Sequence, residues 1–163
     1  MKFRPFTASD AEFCFKTRSN AFIQKFCGEL NSQQIAACVN AFMPDDYIEM
    51  SREIPVFIVE DNDIPLGFFT LKRLGDNTAE LPLIYVDLAR LGSGIGSACI
   101  KYIESWLAVN WPQIKALVVD TVIPLYNGGF YQKAGFVPRE EIFCRFSGLE
   151  IKALRLTKPL IRI

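Results

Sequence analysis

Histidine is missing altogether from the 163 residues. Its absence excludes Ser-His-Asp and Cys-His mechanisms, an imidazole base and imidazole metal ligands together. Any chemistry here falls to carboxylates, Tyr, Cys, Lys or the backbone. Net charge is missing too: eighteen Lys plus Arg offset eighteen Asp plus Glu. Phosphate neutralisation needs clustered basic residues, so no nucleic-acid partner is expected. No stretch approaches the roughly 18 apolar residues of a membrane span, so no membrane association is expected. The start, Met1 to Thr7, has no apolar run after its basic residues and does not read as a signal peptide. The five cysteines (Cys14, Cys27, Cys38, Cys99, Cys144) contain no CxxC pair and are odd in number. That argues against a zinc ribbon or a disulfide framework, and no metal site is expected. Reduced, mostly buried thiols suit a cytoplasmic setting.

What is present is apolar: 50% of residues are hydrophobic and 22% charged. At roughly 150 residues per domain, residues 1–163 are expected to form one domain. The period of the apolar residues gives the elements. Lys2 to Phe6 reads as a strand. Ser9 and Glu12 have capping-box spacing, predicting a helix from Asp10 past Ala21. Phe26 to Leu30 reads as a loop. Asn31 or Ser32 starts a second helix carrying Ile35, Cys38, Val39 and Phe42, which Pro44 stops. Val56 to Glu60 and Leu66 to Lys72 form a hairpin across Asp61-Asn62-Asp63. Glu80 to Val86 is a further strand. Ile95, Ala98, Cys99, Tyr102, Ile103, Trp106 and Leu107 mark the clearest helix. Ile114 to Val122 is a buried strand, Asn127 to Ala134 a short helix ended by Gly135. Val137 to Phe146 and Glu150 to Leu156 are paired by a turn at Ser147-Gly148. The order βααβββαβαββ mixes hairpins with helix–strand alternation, which implies an α/β fold with a mixed sheet covered by helices.

The chemistry is concentrated in Ile84 to Ser97, a strand, a glycine-rich turn and an amphipathic helix. Gly92, Gly94 and Gly96 let backbone N–H groups converge without Cβ obstruction. The following helix directs its N-terminal N–H groups to the same point, as a pyrophosphate site requires. A P-loop is ruled out because no Gly-Lys-Ser/Thr follows. A dinucleotide fingerprint could begin at Gly92, with Asp120 as the ribose-binding acid, but its last position is Ser97.

Ser-Gly-Ile-Gly-Ser at 93 to 97, about 35 residues before Tyr-Gln-Lys-Ala-Gly-Phe at 131 to 136, resembles the GNAT superfamily of acetyl-CoA-dependent N-acetyltransferases. The resemblance is strongest over residues 80 to 137. It implies a mostly antiparallel mixed sheet with helices on both faces, acetyl-CoA as cofactor, and acetyl transfer to a primary amine of a small molecule or peptide by direct attack in a ternary complex. The pyrophosphate would be held by Leu91, Gly92, Ser93, Gly94, Ile95, Gly96 and Ser97. Leu91 stands where the family has Arg or Gln, with Arg90 adjacent. A strand bulge would let backbone groups near Tyr85 and Val86 meet the pantetheine arm.

Tyr131 occupies the place of a Tyr that assists the leaving thiolate. Full proton transfer from a phenol to a thiolate is uphill by about 2 kcal/mol, so hydrogen-bond donation is the better role. Packing against Phe130 and Phe136 is its alternative role. Pro124 replaces a family Asn, and Asn127 could substitute for it or serve only as a helix N-cap. Glu80, at the start of its strand, is the candidate general base, direct or through water, or else a solvated carboxylate, with Glu60 and Asp87 behind it; a low-pKa amine would need no base. Cys99 should be core. The C-terminal strand often pairs across subunits in this fold, which allows a homodimer. Two other readings stay open: a Rossmann-type NAD-binding oxidoreductase, and a non-catalytic CoA-binding module.

Overall fold

The computed structural model describes residues 1–25, 28–123 and 128–161. The chain enters as strand β1 (Lys2–Pro5). A 3-10 turn over Ala8–Asp10 leads into helix α1 (Ala11–Asn20), which continues as a π-type turn over Ala21–Lys25. Capping falls on Thr7 and Asp10, not on Ser9 and Glu12: the Asp10 carboxylate accepts from the Thr7 N–H at 2.8 Å. Helix α2 (Ser32–Asn40) starts at Asn31 as expected. Asn31 and Gln34 exchange side-chain-to-backbone bonds of 2.8 and 2.9 Å. Pro44, read as a stop, also opens helix α3 (Pro44–Glu53), where proline suits the first helical position and Asp46 accepts from the Met43 N–H at 2.7 Å.

Strands β2 (Val56–Asp61) and β3 (Ile64–Thr70) form the expected hairpin. Asn62 and Asp63 take φ of 50° and 61°, the left-handed pair that a two-residue hairpin turn demands. The strand expected over Glu80 to Val86 is two strands. After a short β4 (Lys72–Arg73) come β5 (Thr78–Glu80) and β6 (Ile84–Val86), parted at Pro82. Helix α4 (Ile95–Asn110) is followed by β7 (Ala116–Val122), α5 (Gly128–Lys133), β8 (Val137–Phe146) and β9 (Leu149–Pro159).

The strands among the described residues make two sheets, in the orders β1-β2-β3-β6 and β4-β5-β7-β9-β8. Among the described residues only the β5–β7 pairing is parallel. That removes the doubly wound parallel sheet on which an NAD-binding reading depends. The alternation of β2 and β3 buries both faces. Phe57, Val59 and Phe69 meet Ile95, Cys99, Ile103 and Leu107 of α4, while Ile58 and Phe68 turn the other way to Cys14 of α1 and Tyr47 of α3. Helices therefore cover both faces. Phe22 and Cys38 close a smaller cluster with Val122 and Ile151 of the second sheet. β9 lies between β7 and β8, so the last strand is paired on both sides and β8 forms the sheet edge. No described helix is long and apolar enough to cross a membrane.

The step from one sheet to the other positions the site. β3 passes into β4 at Leu71, and β5 passes into β6 at Leu81-Pro82-Leu83. Leu81 still donates to the Val118 carbonyl of β7 at 2.8 Å. Pro82 has no N–H to continue that ladder. One residue later the Leu83 carbonyl accepts from Thr70 of β3 at 3.0 Å. β6 thus belongs to the first sheet and β7 to the second, and the two diverge.

Candidate active site

The divergence opens a cleft of about 1080 Å³. Glu80, Tyr85, Val86, Leu91, Gly92, Gly94, Ile95, Gly96, Ser97 and Tyr131 all line it, so the fold brings together residues up to 51 positions apart in sequence. Ser93 is the exception among the described candidates. Its N–H and Oγ both turn inward, to the Arg90 carbonyl at 3.3 and 2.5 Å. Asn127 and Pro124 lie outside the described residues, as does Cys27. Glu60 is not on the cleft wall. It accepts from Arg4 Nε at 2.6 Å and pairs with Lys2 at 3.1 Å, which makes it structural. Asp87 caps the 3-10 turn Leu88–Arg90 by accepting from the Ala89 N–H at 3.1 Å.

One wall is backbone. Leu83 and Asp87 both bond to β3, the latter donating to Leu66 at 2.8 Å. In an antiparallel ladder alternate residues bond to alternate sides. Tyr85 therefore turns its backbone to Phe68, its register partner. The groups of Ile84 and Val86 face the open side, which β7 has left. Of the stretch around Tyr85 and Val86, the backbone groups on the open side are therefore those of Ile84 and Val86, because parity along β6 decides which amides are free. Gly67, opposite Val86, allows this close pairing: a Cβ there would meet the Tyr85 carbonyl oxygen at 2.7 Å.

The end wall is the glycine turn. Gly92 and Gly94 have φ of 81° and 83°, and a Cβ at either would enter open space. Gly94 is the N-cap of α4, and the first intrahelical bond runs from Ala98 N–H to the Gly94 carbonyl at 3.0 Å. The N–H groups of Ile95, Gly96 and Ser97 precede that bond and remain open at the positive end of the helix. Gly96 has a packing reason as well: a Cβ would lie 2.8 Å from the Phe130 ring.

Tyr131 is fixed by the end of α5. Phe136 N–H donates to the Tyr131 carbonyl at 2.9 Å and Gly135 N–H to the Gln132 carbonyl at 3.0 Å. With φ of 90° at Gly135, this is a Schellman ending, and its usual apolar contact is the Tyr131–Phe136 ring pair, centroids 5.6 Å apart. Lys158 of β9 donates to the Ala134 carbonyl and holds Glu104 of α4 at 2.7 Å, tying α5 to the body. Burial pushes the Tyr131 hydroxyl well above its ordinary pKa, so it stays protonated and can donate.

Glu80 is half-buried, and its pKa is raised by burial and by the Asp120 carboxylate, with Lys72 and Arg155 opposing. Asp120 is itself gripped by Arg155, two bonds of 2.8 and 2.9 Å. Burial pushes Cys99 to about 12 and Cys38 to about 11, which leaves thiols and not thiolates.

Sequence reasoning missed Ile84, Gly67, Pro82 and Arg18. Pro82 inside an apparent strand was a legible signal, since proline is confined to strand ends, edges and bulges. Arg18 was legible as well. It follows Ala11 and Cys14 at i+7 and i+4, on the face of α1 that points inward.

Comparison with known proteins agrees with this geometry. The acetyltransferase (GNAT) domain family matches residues 52–138, just over half of the chain. No curated protein matches in sequence. Among solved structures, a GCN5-related N-acetyltransferase from Rhodopseudomonas palustris superposes with a TM-score of 0.82 at 20% identity, over 98% of this chain and 95% of that one. PaiA N-acetyltransferase from Thermoplasma acidophilum, in complex with coenzyme A, gives 0.79 at 16% identity, over 97% and 98%. Ribosomal-protein-alanine N-acetyltransferase from Brucella melitensis gives 0.68 at 16%, over 98% and 100%. At these identities the likeness is one of fold.

Proposed function

The chain belongs to the GNAT acetyltransferase family, and from that premise we propose that it transfers an acetyl group from acetyl-CoA to a primary amine by direct attack in a ternary complex. The observation that carries this reading is the parting of β6 from β7 at Pro82. It leaves the free backbone groups of Ile84 and Val86 along a cleft that ends on the glycine turn and the open start of α4.

Acetyl-CoA is the cofactor and supplies an activated thioester. The cleft residues fit it. The N–H groups of Gly92, Gly94, Ile95, Gly96 and Ser97 suit a pyrophosphate, and the bare Cα positions of Gly92 and Gly94 leave room for it. Arg90 and Lys133 on the same walls add positive charge for phosphate. Leu91 gives up the side-chain contact of an Arg or Gln and contributes backbone alone. Ile84 and Val86 offer the donor and acceptor pattern of an unpaired strand edge to pantetheine amides.

Glu80 takes the amine proton, directly or through one water. Its raised pKa is the direction a general base requires, because basicity closer to neutrality lowers the cost of proton removal. Tyr131 keeps its proton on Oη and donates a hydrogen bond toward the departing sulfur, where negative charge develops. A cysteine relay is set aside on the raised thiol pKa values. The four described cysteines are free, which fits a cytoplasmic setting. A homodimer formed by strand pairing would use the β8 edge.

The test is a thermal-shift series with acetyl-CoA, CoA and NADH, followed by free-thiol release with a primary-amine panel. Saturation at about 100 times the dissociation constant adds roughly 2.7 kcal/mol of stability. Stabilisation by acetyl-CoA and amine-dependent thiol release are expected. A shift with NADH alone overturns the reading.

A further inference from the structure

Among the described residues three charged side chains are almost fully buried: Asp10 at 5% exposure, Glu60 at 3% and Arg18 at 1%. The two carboxylates are paired, with Arg4 at 2.8 and 2.6 Å respectively. Arg18 is not. Among the described residues it meets no carboxylate. One guanidinium nitrogen donates to the Cys38 carbonyl at 2.5 Å, the Tyr85 hydroxyl takes a further side-chain hydrogen bond, and Nε has no partner. Among the described residues four rings surround the charge, Phe22 and Phe42 at 4.8 Å, Tyr85 at 5.8 Å and Phe146 at 6.0 Å. Aromatic faces offset part of the desolvation cost but cannot accept a planar fork of five N–H donors. An unpaired buried cation is costly, and a carboxylate delivered to it gains a charge-assisted, potentially bidentate bond.

Arg18 and all four rings line the cleft, on the side built by α1, α2 and the β8–β9 hairpin and away from the α4 glycine turn. We propose that Arg18 receives a carboxylate carried by the acceptor, so that the substrate is a small amino-carboxylic acid. The amine half of this statement rests on the transferase reading; the carboxylate half does not. Small size follows from the enclosure. Ser147 at the hairpin tip donates to the Ala37 carbonyl of α2 at 3.2 Å, and Arg18 holds Cys38 of the same helix. A compact terminal anion suits a guanidinium enclosed in this way better than an internal side chain of a polypeptide.

The experiment uses matched pairs that differ only in the carboxylate: phenylalanine and phenethylamine, leucine and 3-methylbutylamine, with Phe-Ala as a peptide arm. Binding to the wild-type protein is read by calorimetry without cofactor, and turnover by thiol release with acetyl-CoA. The amino acid of at least one pair should bind and turn over at least tenfold better than its amine. Arg18→Met should erase that preference through KM, with kcat and acetyl-CoA affinity nearly unchanged, and Arg18→Lys should restore part of it. A purely structural arginine would leave the preference intact or lower the melting temperature without touching it. Amines equal to or better than their amino acids overturn the proposal even if Arg18→Met fails to fold, as does a preference for Phe-Ala over the free amino acids. Carboxylate-dependent binding without any response to acetyl-CoA would instead keep the Arg18 site and refute the transferase reading.

Discussion

Gly67→Ala tests whether the spacing of β6 governs cofactor binding. The added Cβ would sit 2.7 Å from the Tyr85 carbonyl oxygen and 3.3 Å from the Val86 Cα, where ordinary contact begins near 3.4 Å. Both obstacles are backbone, so no rotamer change relieves them. β3 is held on its other side by β2, whereas β6 pairs with β3 alone. The strain must therefore move β6 toward the cleft, by several tenths of an ångström. Overpacking of this kind costs about 1–3 kcal/mol. In a chain of this length that lowers the melting temperature by about 2–4 °C per kcal/mol. The affinity for acetyl-CoA should fall at least fivefold, because the free groups of Ile84 and Val86 move with the strand. Leu107→Ala is the control. Leu107 is fully buried at the far end of α4, and its truncation should cost about 2–5 kcal/mol while leaving affinity unchanged. Chemical denaturation and calorimetry read the two quantities separately. Unchanged affinity in Gly67→Ala, at any stability, refutes the argument that β6 holds the cofactor.

Tyr131→Phe should lower kcat by about 10²-fold and leave acetyl-CoA affinity unchanged, since the ring packing on Phe136 survives loss of the hydroxyl; equal turnover in a stopped-flow thiol assay would reduce Tyr131 to packing. Glu80→Gln should lower kcat by about 10²- to 10³-fold and remove the acidic limb of the pH–rate profile. The same change should stabilise the protein at neutral pH. Glu80 has a folded pKa above its unfolded value, so its contribution to stability falls as pH rises through that raised pKa. Lower stability of the Gln variant at pH 7 than at pH 4.5, relative to wild type, would contradict this sign. Arg4→Met removes the arginine partner of Asp10 and one of the two cations on Glu60, which keeps Lys2. Asp10 lies below its ordinary pKa despite burial, which pushes it up, because Arg4 and Thr7 hold the ionised form. Glu60 is lowered chiefly by its Arg4 bond. That stability is present above the unfolded carboxylate range and is lost as pH falls through the folded values. The melting-temperature deficit of Arg4→Met should accordingly be largest at neutral pH and shrink by pH 3; a pH-independent deficit would show that only packing was lost.

The elements legible in the sequence were those whose signals are local. Asn31 with Gln34, the Asn62-Asp63 turn, the Ser147-Gly148 turn and the apolar stripe of α4 each depend on residues within a few positions of one another. The glycine turn was legible for the same reason: its positive φ values and the helix after it are both consequences of adjacent residues. What escaped was set by partners distant in sequence. Asp10 became the cap, and not Ser9 with Glu12, because it also binds both terminal nitrogens of Arg4, at 2.8 and 2.9 Å. α3 was hidden because Pro44 ends one helix and starts another within a few residues, and proline signals both. Which amides of β6 are free depends on parity against β3, and no feature of Ile84 or Val86 themselves records it.

Asp120 illustrates how the same residue changes meaning once its neighbours are known. In sequence it stands at the end of a strand after a glycine-rich helix, where a dinucleotide fold would place a ribose-binding acid. In the fold its register partner is Arg155 of β9, which takes both of its oxygens. That pairing engages both Asp120 oxygens with one guanidinium. Its residual field still reaches Glu80 and raises the Glu80 pKa, second only to burial. Of the two carboxylates among the described residues of the cleft wall, Asp120 is bonded to Arg155 and Glu80 has its pKa raised by burial and by Asp120. The environments of the two acids differ although both are carboxylates, and Glu80, the base we propose, lies on the strand that reaches the point where β6 and β7 part.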